Sequence, residues 1–469
     1  MVVSPEYSVS DPSVAQHHAG FDLTWNGSLY LAAWVRAGDL YAGRLDVQGR
    51  YLDGGGTPIA LGSGWQSSPR IASDGTNFLV VWTDARRGPY WDVYGARVRP
   101  DGVVLDPGGF PIASSPSIEG PGDVAWDGTH YLVVWQDQRP VPGLHAVYGA
   151  RVAPTGAVLD PGGFPISSAI SISRRRQQGD PHITWSGGNF FVVWRKELSD
   201  GSWGIYGARV ASDGTVLDPA GIQISGANTF TTSPGVASDG TRDLVVWARS
   251  VPNDVYVEGA RIAQGVVLDP GGFEIARGDT YRVDPAVAWD GENFVVAWEQ
   301  FLVEPYSDLY GTRVSSSGVV LDGAGFPIST VPLTTEGNPA VAGVGGGRSA
   351  VVYDRASGPP WFYRGFVRLI DTNVPPPPPP APPPPPPPPA PPPPVVPPPR
   401  PRLQCRVPRV VGLRLTPARA RIRRAGCRTG RVRRARSRRV GRVLAQNPRA
   451  GTRRPRGARV NLVVGRRRR

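Results

Sequence analysis

The hydrophobic and polar residues follow a pattern that recurs along residues 1–374. Its clearest copy runs from Pro69 to Ala113 and contains a short apolar segment, an Asp-Gly pair, the apolar run FLVVW ending at Trp82, the alternating segment VYGARV ending at Val98, and the segment VVLDPGGFPIA ending at Ala113. Alternation predicts a half-buried strand, and a continuous apolar run predicts a strand covered on both faces. We expect Asp-Gly to form a two-residue hairpin turn. Each copy therefore predicts a four-stranded antiparallel sheet.

Two markers give the number of copies. The aromatic residue that ends the apolar run and the arginine of the alternating strand each occur seven times. They are Trp34, Trp82, Trp135, Trp194, Trp247, Trp298 and Tyr353, and Arg44, Arg97, Arg151, Arg209, Arg261, Arg313 and Arg368. A sheet with two apolar faces cannot bury both alone, whereas a ring of such sheets can. The sequence predicts an all-β domain over residues 1–374, a seven-bladed β-propeller of four-stranded blades.

The two ends of the repeat region complement each other. The seventh copy enters a proline run where its fourth strand is due. Residues 2–10 resemble that missing strand, since Tyr7 matches Phe110 and Val9 matches Ile112. We therefore predict that residues 2–10 complete the last blade and close the ring.

Some polar and glycine positions recur in nearly every copy, which favours a structural role over catalysis. The arginine marker and the aspartate of a Leu-Asp motif, which reads LDP in four copies, are predicted to form an ion pair or a turn bond within the blade. The recurring glycine of the third strand predicts a bulge or a close backbone approach. The aspartates are Asp53, Asp106, Asp160, Asp218, Asp269 and Asp322, and the glycines are Gly95, Gly149, Gly207, Gly259 and Gly311.

The positions that differ between copies are candidates for a binding site. Just after the proline of the first strand (glycine in the third copy) stand Arg70, Asp123, His182, Gly235, Ala286 and Ala340. The first strand of a blade is innermost, so these residues should lie near the mouth of the central channel. We predict that Arg70, Asp123 and His182 bind a protein or glycan ligand. Relaxed constraint on these positions is the competing interpretation.

The sequence shows no motif for a particular reaction. The five histidines have no metal-ligand spacing, and neither a nucleophile elbow nor a phosphate-binding glycine loop is present. We predict no catalytic residue, metal or cofactor. Paired carboxylates contributed by different blades remain an open route to glycoside hydrolysis.

Residues 375–399 contain 21 prolines in 25 positions. Such a segment forms a polyproline II helix, which at ~3.1 Å per residue spans roughly 78 Å. We expect a semi-rigid linker, with a docking site for proline-recognition domains as the alternative.

Residues 400–469 differ sharply in charge from the rest of the chain. They contain 26 arginines and no lysine, aspartate or glutamate, so residues 1–399 carry 52 − 26 = 26 basic and 38 acidic residues. A GC-rich genome explains arginine in place of lysine, but not the absence of acids. Both cysteines, Cys405 and Cys427, lie here, and their spacing predicts a disulfide and an oxidising compartment.

This segment resembles a PASTA domain, the module attached to penicillin-binding proteins and bacterial serine/threonine kinases. The resemblance rests on VPRVVGL from Val407, GRVLAQNPRAG from Gly441 and GARVNLVV from Gly457. It implies a small α+β domain outside the cell, with a helix packed on a three-stranded sheet, and some family members bind peptidoglycan. Thr416 is predicted as the helix N-cap, and Gly426 can end the helix.

The basic segment also suggests a partner. Arg431, Arg433, Arg434, Arg436, Arg438 and Arg439 are predicted to bind a polyanion. Residues 400–469 lack Phe, Trp and Tyr, which argues against recognition of single-stranded nucleic acid. In an extracellular setting, we expect peptidoglycan, an anionic wall polymer or lipid head groups as the partner. Nonspecific solubility and codon bias are the competing explanations.

We therefore predict an exported, monomeric bacterial surface protein that is extracellular or associated with the cell wall. Its propeller would bind a ligand without catalysis, and its PASTA-like domain would hold it to the wall. The alternatives are an extracellular carbohydrate-active enzyme and a polyanion-binding protein that acts through its tail. The first ten residues resemble no signal peptide, so the chain starts upstream, is a fragment or leaves the cell by another route. No stretch is long enough for a membrane helix.

Overall fold

A computed structural model describes most of the chain. The described residues are 1–9, 18–62, 64–88, 90–115, 119–141, 144–167, 178–226, 230–251, 254–277, 282–303, 306–356, 363–373 and 403–467. The chain divides into two compact units, Met1–Pro379 and Pro380–Arg469. The proline-rich stretch 375–399, predicted as a linker, lies outside the described residues.

The first unit consists of short β-strands. In chain order they are β1 (Val2–Val3), β2 (Tyr7–Ser8), β3 (His18–Trp25), β4 (Tyr30–Arg36), β5 (Asp39–Leu45), β6 (Thr57–Ala60), β7 (Gln66–Ser73), β8 (Phe78–Asp84), β9 (Asp92–Val98), β10 (Phe110–Ala113), β11 (Glu119–Trp126), β12 (Tyr131–Val141), β13 (Leu144–Val152), β14 (Phe164–Pro165), β15 (Gln178–Ser186), β16 (Asn189–Glu197), β17 (Trp203–Val210), β18 (Ile222–Gln223), β19 (Phe230–Thr231), β20 (Gly235–Ser238), β21 (Asp243–Val251), β22 (Asp254–Ala263), β23 (Val266–Val267), β24 (Phe273–Ala276), β25 (Arg282–Trp289), β26 (Phe294–Val303), β27 (Tyr306–Val314), β28 (Phe326–Ser329), β29 (Thr335–Gly343), β30 (Arg348–Ala356) and β31 (Tyr363–Asp371).

These strands form successive antiparallel meanders. The sheets are β3–β6, β7–β10, β11–β14, β15–β18, β19–β24 and β25–β28, followed by β29, β30 and β31. A single parallel bridge, Ser307 to Thr335, joins the last two groups. We call β3, β7, β11, β15, β20, β25 and β29 the inner strands. Each contacts the next inner strand along the chain, and β29 contacts β3. The all-β unit is therefore a β-propeller built around a central channel.

The outer side of the last meander is formed by the N-terminal segment. Val2 and Val3 are the register partners of Asp371 and Ile370, and β2 pairs further along the same strand, β31. Val9, at the end of this segment, is fully buried in a cluster with residues of β3, β4 and β30. Residue 10, which the sequence includes in this closing strand, lies outside the described residues.

The apolar runs form the cores between sheets. Trp34, Trp82, Trp135, Trp194, Trp247, Trp298 and Tyr353 are all at most 2 % exposed. The run from Phe78 to Trp82 is buried along its whole length. One face of the strand contacts the preceding sheet, and the other face contacts the following sheet. The apolar burial that drives folding is thus divided among the spaces between blades.

The recurring arginine and aspartate form a clasp in each of six sheets. Arg97 Nε and Nη2 donate to the two carboxylate oxygens of Asp106 at 2.8 and 2.9 Å, and the Arg97 backbone N–H donates to Asp106 Oδ2. Equivalent pairs are Arg44–Asp53, Arg151–Asp160, Arg209–Asp218, Arg261–Asp269 and Arg313–Asp322. The arginine does more than the predicted pairing within the blade. Arg97 Nη1 also donates to Pro154 O of the following sheet at 3.3 Å. The clasp therefore links neighbouring blades as well.

The recurring glycine of the third strand and the first hairpin turn can be compared with their predictions. At Gly95 an added Cβ would lie 2.8 Å from Ile112 Cδ1, and the β8–β9 register runs unbroken there, so this glycine allows a close approach and is not a bulge. The first turn is also shifted by one residue. Asp74 N–H donates to Asn77 O, so Gly75 and Thr76 are the two turn residues, and the Asp74 carboxylate accepts from Thr76 N–H at 2.7 Å.

The second unit is a small α+β domain. Its elements are β32 (Gln404–Arg406), α1 (Leu415–Arg424), β33 (Arg428–Arg436), β34 (Val443–Asn447), β35 (Arg453–Pro455) and β36 (Arg459–Arg466). One sheet has the order β33–β36–β34, and β32 pairs with β35. The core includes Ala418 and Ile422 of α1, strand residues such as Val460 and Leu462, and the disulfide between Cys405 and Cys427. The predicted disulfide is confirmed.

The helix begins earlier than predicted. Arg414 is the N-cap, without a side-chain capping bond, and Thr416 lies inside the first turn. The backbone of Arg414 is already held by a bridge to Arg442, and Leu415 N–H donates to Gly441 O, so the tertiary contact sets the start in place of a capping hydroxyl. The end is as predicted, since Gly426 has φ +74° and its N–H donates to Arg423 O.

Candidate functional site

The inner strands of the propeller surround one cavity of about 760 Å³. Its wall comes from β3, β7, β15, β20, β25 and β29 and from Gly122 and Asp123 of β11. The cavity is therefore the central channel, and its chemistry is set by residues that hold equivalent places in different blades.

The structure brings the three predicted ligand-binding residues to this cavity. Arg70, Asp123 and His182 all line it. His182 Nδ1 lies 3.2 Å from Asp123 Oδ2, and the same carboxylate oxygen accepts a hydrogen bond from Ile183 N–H. The equivalent positions in three later blades are Gly235, Ala286 and Ala340. At this one position the charged side chains thus lie in neighbouring blades, and the later blades carry small residues.

Asp22 is a channel residue that the sequence comparison missed. It holds the equivalent position in the first blade, and its Oδ2 accepts a hydrogen bond from Ile71 N–H of the next blade at 2.7 Å. Burial raises the pKa of the Asp22 carboxyl to about 6, with a further rise from Asp123 that Arg70 opposes. The proline that precedes this position in most other copies is replaced by Phe21 in the first copy, so Asp22 could not be aligned with them.

A second set of channel residues stands immediately before the marking proline. Ser68, Asp180, Asp284 and Asn338 have positive φ values of 49° to 52°, and all four line the cavity. At each of these places the register between the inner strand and its neighbour shifts, which shows a bulge. Such backbone conformations cost about 1–3 kcal/mol each. The available signal was the residue type, because serine, aspartate and asparagine are frequent where a bulge needs left-handed backbone.

The channel carboxylates are only partly neutralised. Asp180 Oδ2 lies 2.9 Å from Arg195 Nε, and the Arg195 guanidinium also lies over the Trp203 ring. Burial raises the pKa of Asp284, with the neighbouring Asp180 adding to the rise. Acidic groups therefore outnumber the cationic ones along this wall.

Buried carboxyl groups also stand behind the channel wall. Asn338 Nδ2 donates to Asp354 Oδ2 at 3.0 Å, and Asp354 is 2 % exposed. Burial raises the pKa of Asp354 to about 7. Burial likewise raises the pKa of Glu299 to about 7, with contributions from Asp284 and Asp354. These groups change charge close to neutral pH.

We expect the variant Asp354→Asn to gain stability relative to the wild type as the pH rises. The pKa of Asp354 is about 7 in the folded protein and near 4 in the unfolded chain. The wild type therefore loses stability as the pH rises through this range, because the buried carboxyl must ionise. The asparagine amide oxygen can still accept from Asn338. The difference in melting temperature, variant minus wild type, should increase by at least about 2 °C between pH 5 and pH 8. Asp101→Asn, at a carboxylate that is 49 % exposed, is the control. A constant difference for D354N would contradict the prediction.

The predicted polyanion-binding arginines lie together in the second unit. Arg431, Arg433, Arg434 and Arg436 belong to β33, and Arg438 and Arg439 follow it. All six are exposed. No carboxylate side chain is available to pair with them within residues 403–467.

Among the described residues, no group of three or more His, Cys, Asp or Glu side chains is placed to hold a metal ion. No helix in the same residues is long and apolar enough to cross a membrane.

The comparison with known families concerns the second unit. Residues 406–466 match the PASTA domain family. The resemblance inferred from the sequence is confirmed for this unit, and it suggests association with the cell wall or the extracellular space. No curated protein matches the chain.

Several solved structures resemble the chain at low identity. A protein of unknown function from Dyadobacter fermentans is 11 % identical with a TM-score of 0.44, and the match covers 78 % of this chain and 99 % of that one. A prolyl endopeptidase is 12 % identical with a TM-score of 0.47, covering 75 % of this chain and 47 % of that one. A thermostable family-43 glycoside hydrolase is 9 % identical with a TM-score of 0.35, covering 54 % and 89 %.

Proposed function

We propose that the chain is an exported bacterial surface protein that binds ligands without catalysis. A seven-bladed propeller over residues 1–374, closed by the strand at residues 2–10, would present its channel to a protein or glycan. Residues 375–399 would be a linker, and the PASTA-like domain at 400–469 would hold the monomer to the wall. The match of residues 406–466 to the PASTA family and the disulfide support a place outside the cell.

The observation that carries the channel assignment is the asymmetry of its wall. Asp22, Arg70, Asp123 and His182 come from four successive blades, whereas the equivalent positions of later blades carry glycine or alanine. Purely structural positions of this propeller repeat the same residue, as the arginine clasps do. A channel position that carries polar side chains in neighbouring blades and small residues in the others can orient a ligand that has one polar edge.

The channel assignment is tested by binding of solubilised peptidoglycan fragments to the full chain. The substitutions Arg70→Ala and His182→Ala should each weaken binding about tenfold, which corresponds to about 1.4 kcal/mol. Arg242→Ala, at an exposed residue of a hairpin turn, is the control and should bind as the wild type does. Titration calorimetry gives the constants. Equal affinity of R70A, H182A and wild type would place the ligand outside the channel.

The same sample tests the enzymatic alternative. Burial raises the pKa of Asp22 to about 6, Asp22 and Asp123 line one cavity, and glycoside hydrolysis uses a pair of carboxyl groups. Release of new reducing ends by the wild type, abolished by Asp22→Asn, would favour hydrolysis over binding alone.

A further inference from the structure

Arginines of the second unit face one another across neighbouring strands. Arg428 is the register partner of Arg459, and Arg436 is the partner of Arg466, in the parallel pair β33–β36. Arg406 is the partner of Arg453 in the antiparallel pair β32–β35. All six side chains are exposed. Like charges at opposite positions destabilise a sheet, so each pair places a cost on the fold.

The described part of the unit, residues 403–467, contains no carboxylate side chain that could remove this repulsion. Residues 400–469 have 26 arginines and no aspartate or glutamate. Within residues 403–467 the one guanidinium that donates to the backbone is that of Arg442, which reaches Gly412 O at 3.0 Å. The compensating negative charge for the three pairs must therefore come from a bound partner or from salt.

The chemistry of the pairs indicates the kind of anion. A guanidinium presents two parallel N–H groups, which match the oxygens of a phosphate, and two guanidinium groups side by side can hold one phosphate between them. The pairs at the two ends of the β33–β36 ladder are separated by seven or eight residues, which suits a partner with repeated phosphates. Residues 400–469 contain no aromatic side chain on which nucleic-acid bases could stack.

We propose that the second unit binds a linear polymer of phosphate groups without bases, and that the facing arginine pairs hold its phosphates. This inference specifies the wall attachment proposed above and rests on it. Binding should stabilise the unit, because the phosphates remove the repulsion within each pair.

The test uses the full chain, polyphosphate as the probe and two matched double variants. R428Q/R459Q removes one facing pair, and R419Q/R449Q removes two exposed arginines that face no arginine in a strand pair. We expect R428Q/R459Q to weaken the affinity at least fivefold more than the control does, and to make the affinity less dependent on salt. At low ionic strength R428Q/R459Q should also melt at a higher temperature than the wild type without ligand. Equal losses of affinity in the two variants would overturn the proposal.

Further arms separate the sources of phosphate. Tighter binding of poly(glycerol phosphate) than of anionic phospholipid vesicles supports a wall polymer, and binding to vesicles alone overturns the linear polymer. Single-stranded DNA bound as tightly as polyphosphate also overturns it. Peptidoglycan stripped of phosphate polymers provides the remaining distinction. If it is captured as well as untreated wall, the wall attachment stands and the phosphate inference fails, whereas capture of neither means that both fail.

Discussion

Removal of residues 2–9 should lower the melting temperature of the propeller by roughly 10 °C or more. The deletion takes away the strand pairs of β1 and β2 with β31 and the buried Val9 side chain. It also removes Glu6, which accepts hydrogen bonds from Arg355 Nη1 at 2.8 Å and from the Tyr353 hydroxyl. Breaking a buried ion pair costs about 3–5 kcal/mol by itself, and each kcal/mol lowers the melting temperature by about 2–4 °C in a domain of 150–250 residues.

The point variant Glu6→Gln separates the ion pair from the strand. Arg355 is 12 % exposed and also contacts Glu336 Oε1 at 2.6 Å, so loss of the Glu6 charge leaves a largely buried guanidinium with one carboxylate. We expect E6Q to destabilise the propeller by about 3 kcal/mol at pH 7, the lower end of the range for a buried ion pair, because the Glu6 side chain is 20 % exposed. Glu274→Gln, in an ion pair whose side chains are more than half exposed, should cost less than about 1 kcal/mol. Differential scanning calorimetry measures both changes.

The pH dependence gives an independent check of E6Q. Burial alone would raise the pKa of Glu6, but hydrogen bonds from Arg355 and Tyr353 outweigh it and hold this pKa below its ordinary value. The carboxylate therefore stabilises the fold above about pH 4.5, and this contribution is lost as the pH falls through the lowered pKa. The stability gap between wild type and E6Q should narrow under acid conditions. A deletion variant that melts as the wild type does would show that the ring holds without its N-terminal strand.

The sequence predicted the structure correctly at positions where the same residue packs in the same surroundings in each repeat. A tryptophan at a regular interval, such as Trp82 or Trp135, fills the space between two sheets, and its surroundings hardly vary. The pairing of Arg97 with Asp106 could be predicted for the same reason, because six copies carry both partners, nine residues apart in five of them and eight residues apart in the sixth. The disulfide followed from the absence of any other cysteine.

Contacts made once in the chain were beyond this kind of reasoning. Glu6 and Arg355 are 349 residues apart, and no repeat contains an equivalent pair to compare. The bulges at Asp180 and Asp284 were missed because a left-handed residue before a proline leaves no mark in the hydrophobic pattern. The predicted start of α1 was wrong because Thr416 and Pro417 are a local signal, while the contact of Arg414 with Arg442 lies across the fold.

The other large effect is expected from reduction of the disulfide in the second unit. Cys405 and Cys427 are 1 % and 3 % exposed and close a loop of 22 residues, which contributes about 3 kcal/mol in the chain-entropy model. A domain of this size has little stability to spare, and the facing arginine pairs reduce it further. Reduction should lower the thermal transition of this unit by more than about 10 °C and leave the propeller transition in place, because residues 1–399 contain no cysteine.

Salt and polyphosphate make this prediction specific. If repulsion between arginines destabilises the second unit, the reduced unit should be least stable at low ionic strength, where charges are least screened. Added salt should restore part of the transition, and polyphosphate should restore more at the same ionic strength, because it binds the folded unit. The double variant Cys405→Ala/Cys427→Ala should behave as the reduced protein does or be less stable, since it also loses buried volume. A transition that reduction does not move, observed by calorimetry with complete thiol titration, would mean that the hydrophobic core around Val460 and Leu462 holds this arginine-rich unit together without the disulfide.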